Sequence, residues 1–66
     1  MCQSNVYALE GDREELLLED VSLIETQNGS VTMCTLFGEP MAVEGRIVGI
    51  DLVRQKVYLE RTATAD

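Results

Sequence analysis

The chain has 66 residues, 45% of them hydrophobic and 26% charged, a composition typical of one small soluble globular domain. Five Lys and Arg against twelve Asp and Glu give a net charge of −7, which opposes binding to phosphate backbones and anionic membranes. The sequence has no His, so a single chain can form no Ser-His-Asp triad, Cys-His dyad or His-ligated zinc site.

The chain before residue 27 is predicted to form three short strands. Residues 6–9 form the first strand, which ends at the turn signal Glu10-Gly11-Asp12. Residues 14–20 are rich in Leu and Glu, which favour helices, but they span fewer than two helical turns between turn signals. We therefore interpret residues 14–20 as the second strand and the β-branched segment 21–26 as the third.

The pair Asn28-Gly29 is the strongest local signal in the sequence. It predicts a type I′ hairpin because both turn positions must adopt a positive φ. Residues 30–36 are then the returning strand, and residues 41–50 form the longest strand. The apolar positions of this long strand change parity after Gly45, and a glycine within a strand often marks a bulge or a bend. Residues 56–60 alternate cleanly and form the last strand.

Six short antiparallel strands at close spacing predict an all-β fold, a small and strongly bent barrel with an SH3-like or Sm-like shape. Residues 1–60 are expected to form this single domain, and residues 61–66 a frayed polar tail. The alternation of apolar residues predicts a core of Val6, Leu16, Leu18, Val21, Leu23, Val31, Met33, Phe37, Val43, Ile47, Ile50, Val57 and Leu59.

Cys2 is the residue with the most distinctive chemistry. If Met1 is retained, its amine, the Cys2 amide nitrogen and the Cys2 sulfur can close two fused chelate rings, and if Met1 is removed, the Cys2 amine and thiolate still close one. Such a planar, soft donor set suits Ni(II) or Cu(II) better than Mg(II) or Ca(II). Two alternatives remain, a Cys2 that is simply a small buried apolar residue and a disulfide with Cys34. Cys34 lies in mid-strand, where a cysteine most often only packs.

No signal peptide or membrane span is recognised, so we expect a cytoplasmic protein with reduced thiols. The acidic residues Glu14, Glu15, Glu19 and Asp20 are predicted to form a solvated face that protects a sheet edge. Paired catalytic carboxylates would need a concave pocket, which so short a chain has little material to build. The protein is therefore not expected to be an enzyme.

A cluster of basic residues in the last third of the chain supports an alternative function. Arg46, Arg54, Lys56 and Arg61, with Tyr58 nearby, could form a small RNA-binding patch on the barrel. Ion pairs with the acidic surface are the plainer interpretation of these residues. The net charge of −7 also disfavours nucleic acid as a partner.

Six stretches of the chain, spread over roughly residues 1–60, are distinctive as a set. They are Met1-Cys2 with Val6-Tyr7, Leu18-Glu19-Asp20-Val21, Leu36-Phe37-Gly38-Glu39, Val43-Glu44-Gly45-Arg46-Ile47, Ile50-Asp51-Leu52 and Val57-Tyr58-Leu59-Glu60. Taken together, these stretches resemble the CooT family of small nickel-binding proteins. The resemblance implies a small β-barrel that binds Ni(II) through Cys2, across a homodimer, and serves the maturation of a nickel enzyme such as carbon monoxide dehydrogenase. It gives no role to Cys34.

Overall fold

The fold is a closed barrel of five strands. It is described here from a computed structural model, which describes residues 3–61. Strands that follow one another in the chain pair antiparallel, and the last strand pairs parallel to the first and closes the ring. The predicted all-β, strongly bent barrel is confirmed. The strands are β1 (Ser4–Glu10), β2 (Arg13–Gln27), β3 (Ser30–Thr35), β4 (Pro40–Asp51) and β5 (Lys56–Arg61).

Strand β2 explains why the barrel has five strands where six were predicted. The predicted strands 14–20 and 21–26 are one continuous strand of 15 residues, so residues 14–20 are indeed extended. Val21 pairs with both Ser4 of β1 and Thr35 of β3, so the partner of β2 changes there. Asp20, immediately before, has a φ of 58°, a left-handed conformation that redirects the strand without ending it.

Two glycine-based predictions are confirmed. Asn28 and Gly29 have φ values of 39° and 85° and join β2 to β3 as a two-residue hairpin turn, with Gln27 opposite Ser30. Gly45 lies where β4 changes its partner from β3 to β5. A Cβ at Gly45 would overlap the backbone carbonyl oxygen of Glu60, so only glycine fits this close approach.

The core fills the inside of the barrel and is built mainly from β1, β3 and β5. Its buried apolar residues are Val6, Ala8, Val21, Val31, Met33, Val57 and Leu59, and the partly buried Leu17, Leu18, Ile24, Met41, Val43 and Ile47 pack against them. No helix among the described residues is long and apolar enough to cross a membrane. Arg61 is the last residue of β5, and residues 62–66 of the predicted tail lie outside the described range.

Four residues predicted to be in the core are instead exposed: Leu16, Leu23, Phe37 and Ile50. A register shift between Val21 and Leu23 changes which face of β2 is buried, so Ile24 packs inward in place of Leu23. Leu16 pairs with Tyr7, which alternates with the buried β1 residues and so faces outward. Phe37 lies in a turn, and Ile50 lies at the end of β4.

Candidate functional site

The predicted metal ligands Met1 and Cys2 lie outside the described residues, which begin at Gln3. The surroundings of Gln3 therefore define where the chain that carries these ligands joins the barrel. Four elements meet there: the start of β1, the left-handed Asp20 of β2, the turn at residues 36–39 and the turn at residues 52–55. We refer to this region, from Gln3 to Asn5 with Asp20 and both turns, as the Asp20 corner.

A series of hydrogen bonds connects the elements of the Asp20 corner to one another. The amide of Leu36 donates to the carbonyl oxygen of Asp20 at 2.9 Å, and the amide of Asp20 donates to Oδ1 of Asn5 at 3.3 Å. The amide of Asn5 in turn donates to the carbonyl oxygen of Gln55 at 3.0 Å. Nε2 of Gln3 donates to Oδ1 of Asp20 over a longer distance of 3.4 Å. Asp20 is therefore hydrogen-bonded to the side chains of Gln3 and Asn5 and to the backbone of the first turn at Leu36.

Thr35 organises the first turn, residues 36–39. Its hydroxyl is buried and accepts hydrogen bonds from the amides of Phe37 at 3.2 Å and Glu39 at 3.1 Å. Its backbone amide donates to the carbonyl oxygen of Glu39, and its carbonyl oxygen accepts from the amide of Gly38, both at 3.0 Å. Four hydrogen bonds to Thr35 thus hold the turn, although the Phe37 side chain is 77% exposed.

Asp51 organises the second turn, residues 52–55, in a similar way. Its Oδ1 accepts from the amides of Val53 at 3.1 Å and Arg54 at 3.0 Å, and its Oδ2 accepts from the Arg54 guanidinium at 3.0 Å. The backbone amide of Arg54, followed by its guanidinium, holds the pKa of Asp51 below the ordinary value of 3.8. The turn presents Leu52 and Val53 to solvent at 82% and 92% exposure.

Both turns of the Asp20 corner therefore expose large apolar side chains. We name this set of exposed residues the apolar rim: Leu36, Phe37, Ile50, Leu52 and Val53. Their side chains are between 48% and 92% exposed. Hydrogen bonds to Thr35 and Asp51 already hold the turns. The turns would therefore lose little conformational entropy when another molecule binds to them.

Within residues 3–61, no three His, Cys, Asp or Glu side chains are grouped as a metal site would require. Cys34 is half-buried in β3, where it pairs with Leu23 on one side and Pro40 on the other. Glu14, Glu15 and Glu19 are exposed, in agreement with a solvated face, but Asp20 is half-buried at its corner.

The basic residues considered as an RNA-binding patch are divided between the two ends of β5 and have partners. Arg46 contacts Glu60 at 2.8 Å, and Arg54 contacts Asp51 at 3.0 Å. Arg61 lies 3.6 Å from Glu10 and 3.9 Å from Glu15.

Lys56 lies over the ring of Tyr7, with its Nζ 5.0 Å from the ring centroid. Ion pairs with the acidic surface, the plainer interpretation, account for the three arginines of this patch.

Two features of the corner were missed in the sequence. The sequence pattern places Asp20 on the solvated acidic face, because nothing in it indicates a left-handed residue inside a strand. The apolar rim was missed because Phe37 and Ile50 were assigned to the core. Gly38 and Asp51 are residue types that favour turns, and this signal could have suggested that their apolar neighbours are exposed.

Comparisons with known proteins relate the whole of this architecture to one family. The model of the CO dehydrogenase accessory protein CooT matches residues 1–60. The chain is 35% identical over 60 residues to an uncharacterized protein of Methanocaldococcus jannaschii, which covers 91% of this chain and 98% of that protein. It also superimposes on the crystal structure of a protein described as CooT from Carboxydothermus hydrogenoformans. That match has a TM-score of 0.87 and 27% identity, and it covers 94% of this chain and 100% of the other.

Proposed function

The chain belongs to the CooT family of CO dehydrogenase accessory proteins, and we propose that it carries Ni(II) as cargo on its Met1–Cys2 segment. The role is that of an accessory protein and not of a catalyst. The ion is delivered to a nickel enzyme during its maturation, with carbon monoxide dehydrogenase as the client. The observation that carries this proposal is the match of the family model over residues 1–60, which includes Met1 and Cys2.

The donor chemistry of the segment supports nickel as the cargo. A thiolate with amine or amide nitrogen donors favours the planar coordination that Ni(II) adopts, and it disfavours Mg(II), Ca(II) and Mn(II). Copper binds such donors more tightly than nickel, so the supply of metal in the cell, in our proposal the cytoplasm, decides which ion is loaded. One chain offers three donors and leaves a position open for a ligand from a partner.

We further propose that a second copy of the chain covers the apolar rim in a homodimer. The rim borders the residues from which the Met1–Cys2 segment extends, so two copies docked there would bring two Cys2 thiolates to one ion. A second chain would also add buried apolar area to a 66-residue domain whose own core is small. Each copy has a charge of −7, so the association should strengthen as salt screens the repulsion.

The metal proposal is tested by calorimetric titration of Ni(II) into the parent protein and into Cys2→Ser and Cys34→Ser variants. We expect Cys2→Ser to abolish tight binding and Cys34→Ser to bind as the parent does. The thiolate-to-nickel absorption band should disappear with the binding. Unchanged binding in Cys2→Ser would end the proposal, and loss in Cys34→Ser alone would move the site into β3.

The nitrogen donors are tested separately. Nickel affinity should fall as the pH falls, because protons compete with the ion for the thiolate and the nitrogen donors. A residue added before Met1 should weaken binding if the amine of Met1 is a ligand. Equal affinity with and without this extension would remove the Met1 amine from the ligand set.

The homodimer is tested by sedimentation at about 0.15 M salt, where the Debye length is about 8 Å. We expect the parent protein to dimerise with nickel and Phe37→Ser to remain monomeric at the same concentration. The matched control is Val48→Ser, which removes an apolar side chain that is 45% exposed and lies outside the rim. Equal dimerisation of both variants would exclude the rim as the contact surface.

A further inference from the structure

We propose that Asp20 is a positioning residue for the Met1–Cys2 segment, and this inference rests on the proposed nickel function. Its carboxylate accepts a hydrogen bond from Gln3, the residue that directly follows the proposed ligands. Holding Gln3 against the barrel limits the directions in which the ligands can extend. Because Gln3 is already restrained by Asp20, less entropy is lost when Ni(II) binds.

The backbone of Asp20 supports a role beyond that of a bend. A φ of 58° is uncommon for a residue with a side chain, and glycine would adopt it without steric cost. A site that needed only the change of direction would be best served by glycine. Strained backbone of this kind tends to occur at functional positions, where a side chain has a task that outweighs the strain.

A second left-handed residue meets the same strand. Gln55 also has a φ of 58°, and its carbonyl oxygen accepts the hydrogen bond of the Asn5 amide at 3.0 Å. The side chain of Asn5 accepts from the amide of Asp20 at 3.3 Å. Asn5 is therefore held between two of the three non-glycine residues with positive φ in the described chain. With the side chain of Gln3 bound to Asp20 as well, both Gln3 and Asn5 are attached to the corner.

The test compares two substitutions that remove the same charge. Asp20→Gly keeps the left-handed backbone but removes the acceptor, whereas Asp20→Asn keeps an acceptor oxygen and also tolerates this φ. We expect Asp20→Gly to bind Ni(II) about 10-fold more weakly, as is typical when a partner that orients a metal ligand is removed. Asp20→Asn should restore most of the affinity. Circular dichroism and thermal unfolding should show that both variants remain folded.

Gln3→Ala provides the second arm of the test. It should weaken nickel binding as much as Asp20→Gly does, and the double variant should be no weaker than either single variant. The proposal is overturned if Asp20→Gly binds as the parent, or if Gln3→Ala does. It is also overturned if Asp20→Asn is as weak as Asp20→Gly, since the negative charge and not the hydrogen bond would then matter.

These outcomes are separable from a failure of the nickel function itself. If Cys2→Ser binds nickel as the parent does, the proposed site is wrong whatever Asp20 does. If Cys2→Ser abolishes binding while Asp20→Gly leaves it unchanged, only the positioning role is refuted.

Discussion

Replacing Gly45 by alanine should destabilise the barrel, and the structure gives the size of the effect. The new Cβ would overlap the carbonyl oxygen of Glu60, with the Cα of Arg61 3.0 Å away, so backbone atoms of β5 would have to move. Overpacking of this kind costs about 1–3 kcal/mol, against a gain of about 0.4–1 kcal/mol from a less flexible unfolded chain. Because the obstacle is backbone, we expect a net loss of about 2 kcal/mol, which lowers Tm by about 8–16 °C.

Gly49 on the same strand is the matched control. A Cβ there would lie 3.7 Å from Cδ2 of Tyr58, an ordinary van der Waals contact, and its φ lies outside the left-handed region. Gly49→Ala should therefore gain about 0.4–1 kcal/mol and raise Tm by about 2–8 °C. Thermal unfolding followed by circular dichroism measures both variants. A Gly45→Ala protein that melts with the parent, or a Gly49→Ala protein that loses as much stability, would refute the reasoning.

Two further predictions concern the core and the second turn. Leu59→Ala should lower the free energy of unfolding by about 2–5 kcal/mol because the side chain is fully buried, whereas Leu52→Ala, at 82% exposure, should change it by less than about 0.5 kcal/mol in the monomer. Urea unfolding of the metal-free monomer tests this contrast, and equal losses would contradict it. The folded pKa of Asp51 is lowered, so its contribution to stability is present above about pH 4 and is lost as the pH falls through that pKa. The stability difference between the parent and Asp51→Asn should therefore shrink below pH 3.8, and a difference that persists in acid would show that the Asp51 charge is not involved.

The parts of the fold that depend on backbone conformation at single residues could be predicted from the sequence. Asn28-Gly29 required a tight hairpin because few other residue pairs adopt two positive φ values in succession. Gly45 marked the place where β4 changes its pairing partner, because a glycine inside an apolar strand leaves room for another backbone. In both cases the local sterics of one or two residues determine the backbone structure at that point.

The face of a strand that is buried could be predicted only where the strand is regular. In β5, Val57 and Leu59 alternate without interruption, and both are buried as predicted. In β2, the register shift after Val21 reversed the alternation, so Leu23 was assigned to the wrong face. Alternation has a period of two residues, and one extra residue therefore exchanges the faces of everything that follows. Such irregularities depend on how the strands close into a ring, which a single sequence does not reveal.

The errors of prediction at Phe37 and Ile50 have a different physical meaning. Both were assigned to the core as apolar residues, and both belong to the apolar rim at the Asp20 corner. Apolar side chains on turns held by Thr35 and Asp51 gain no stability for the monomer by being exposed.

The left-handed Asp20 and Gln55 at the same corner depart from what local sterics favour as well. Departures from good packing and from relaxed backbone tend to coincide where a protein meets its partners. Here they coincide around Gln3, the first described residue, which follows the proposed metal ligands directly in the chain. Neither the exposed apolar side chains nor the left-handed backbone of Asp20 and Gln55 adds to the stability of the monomer.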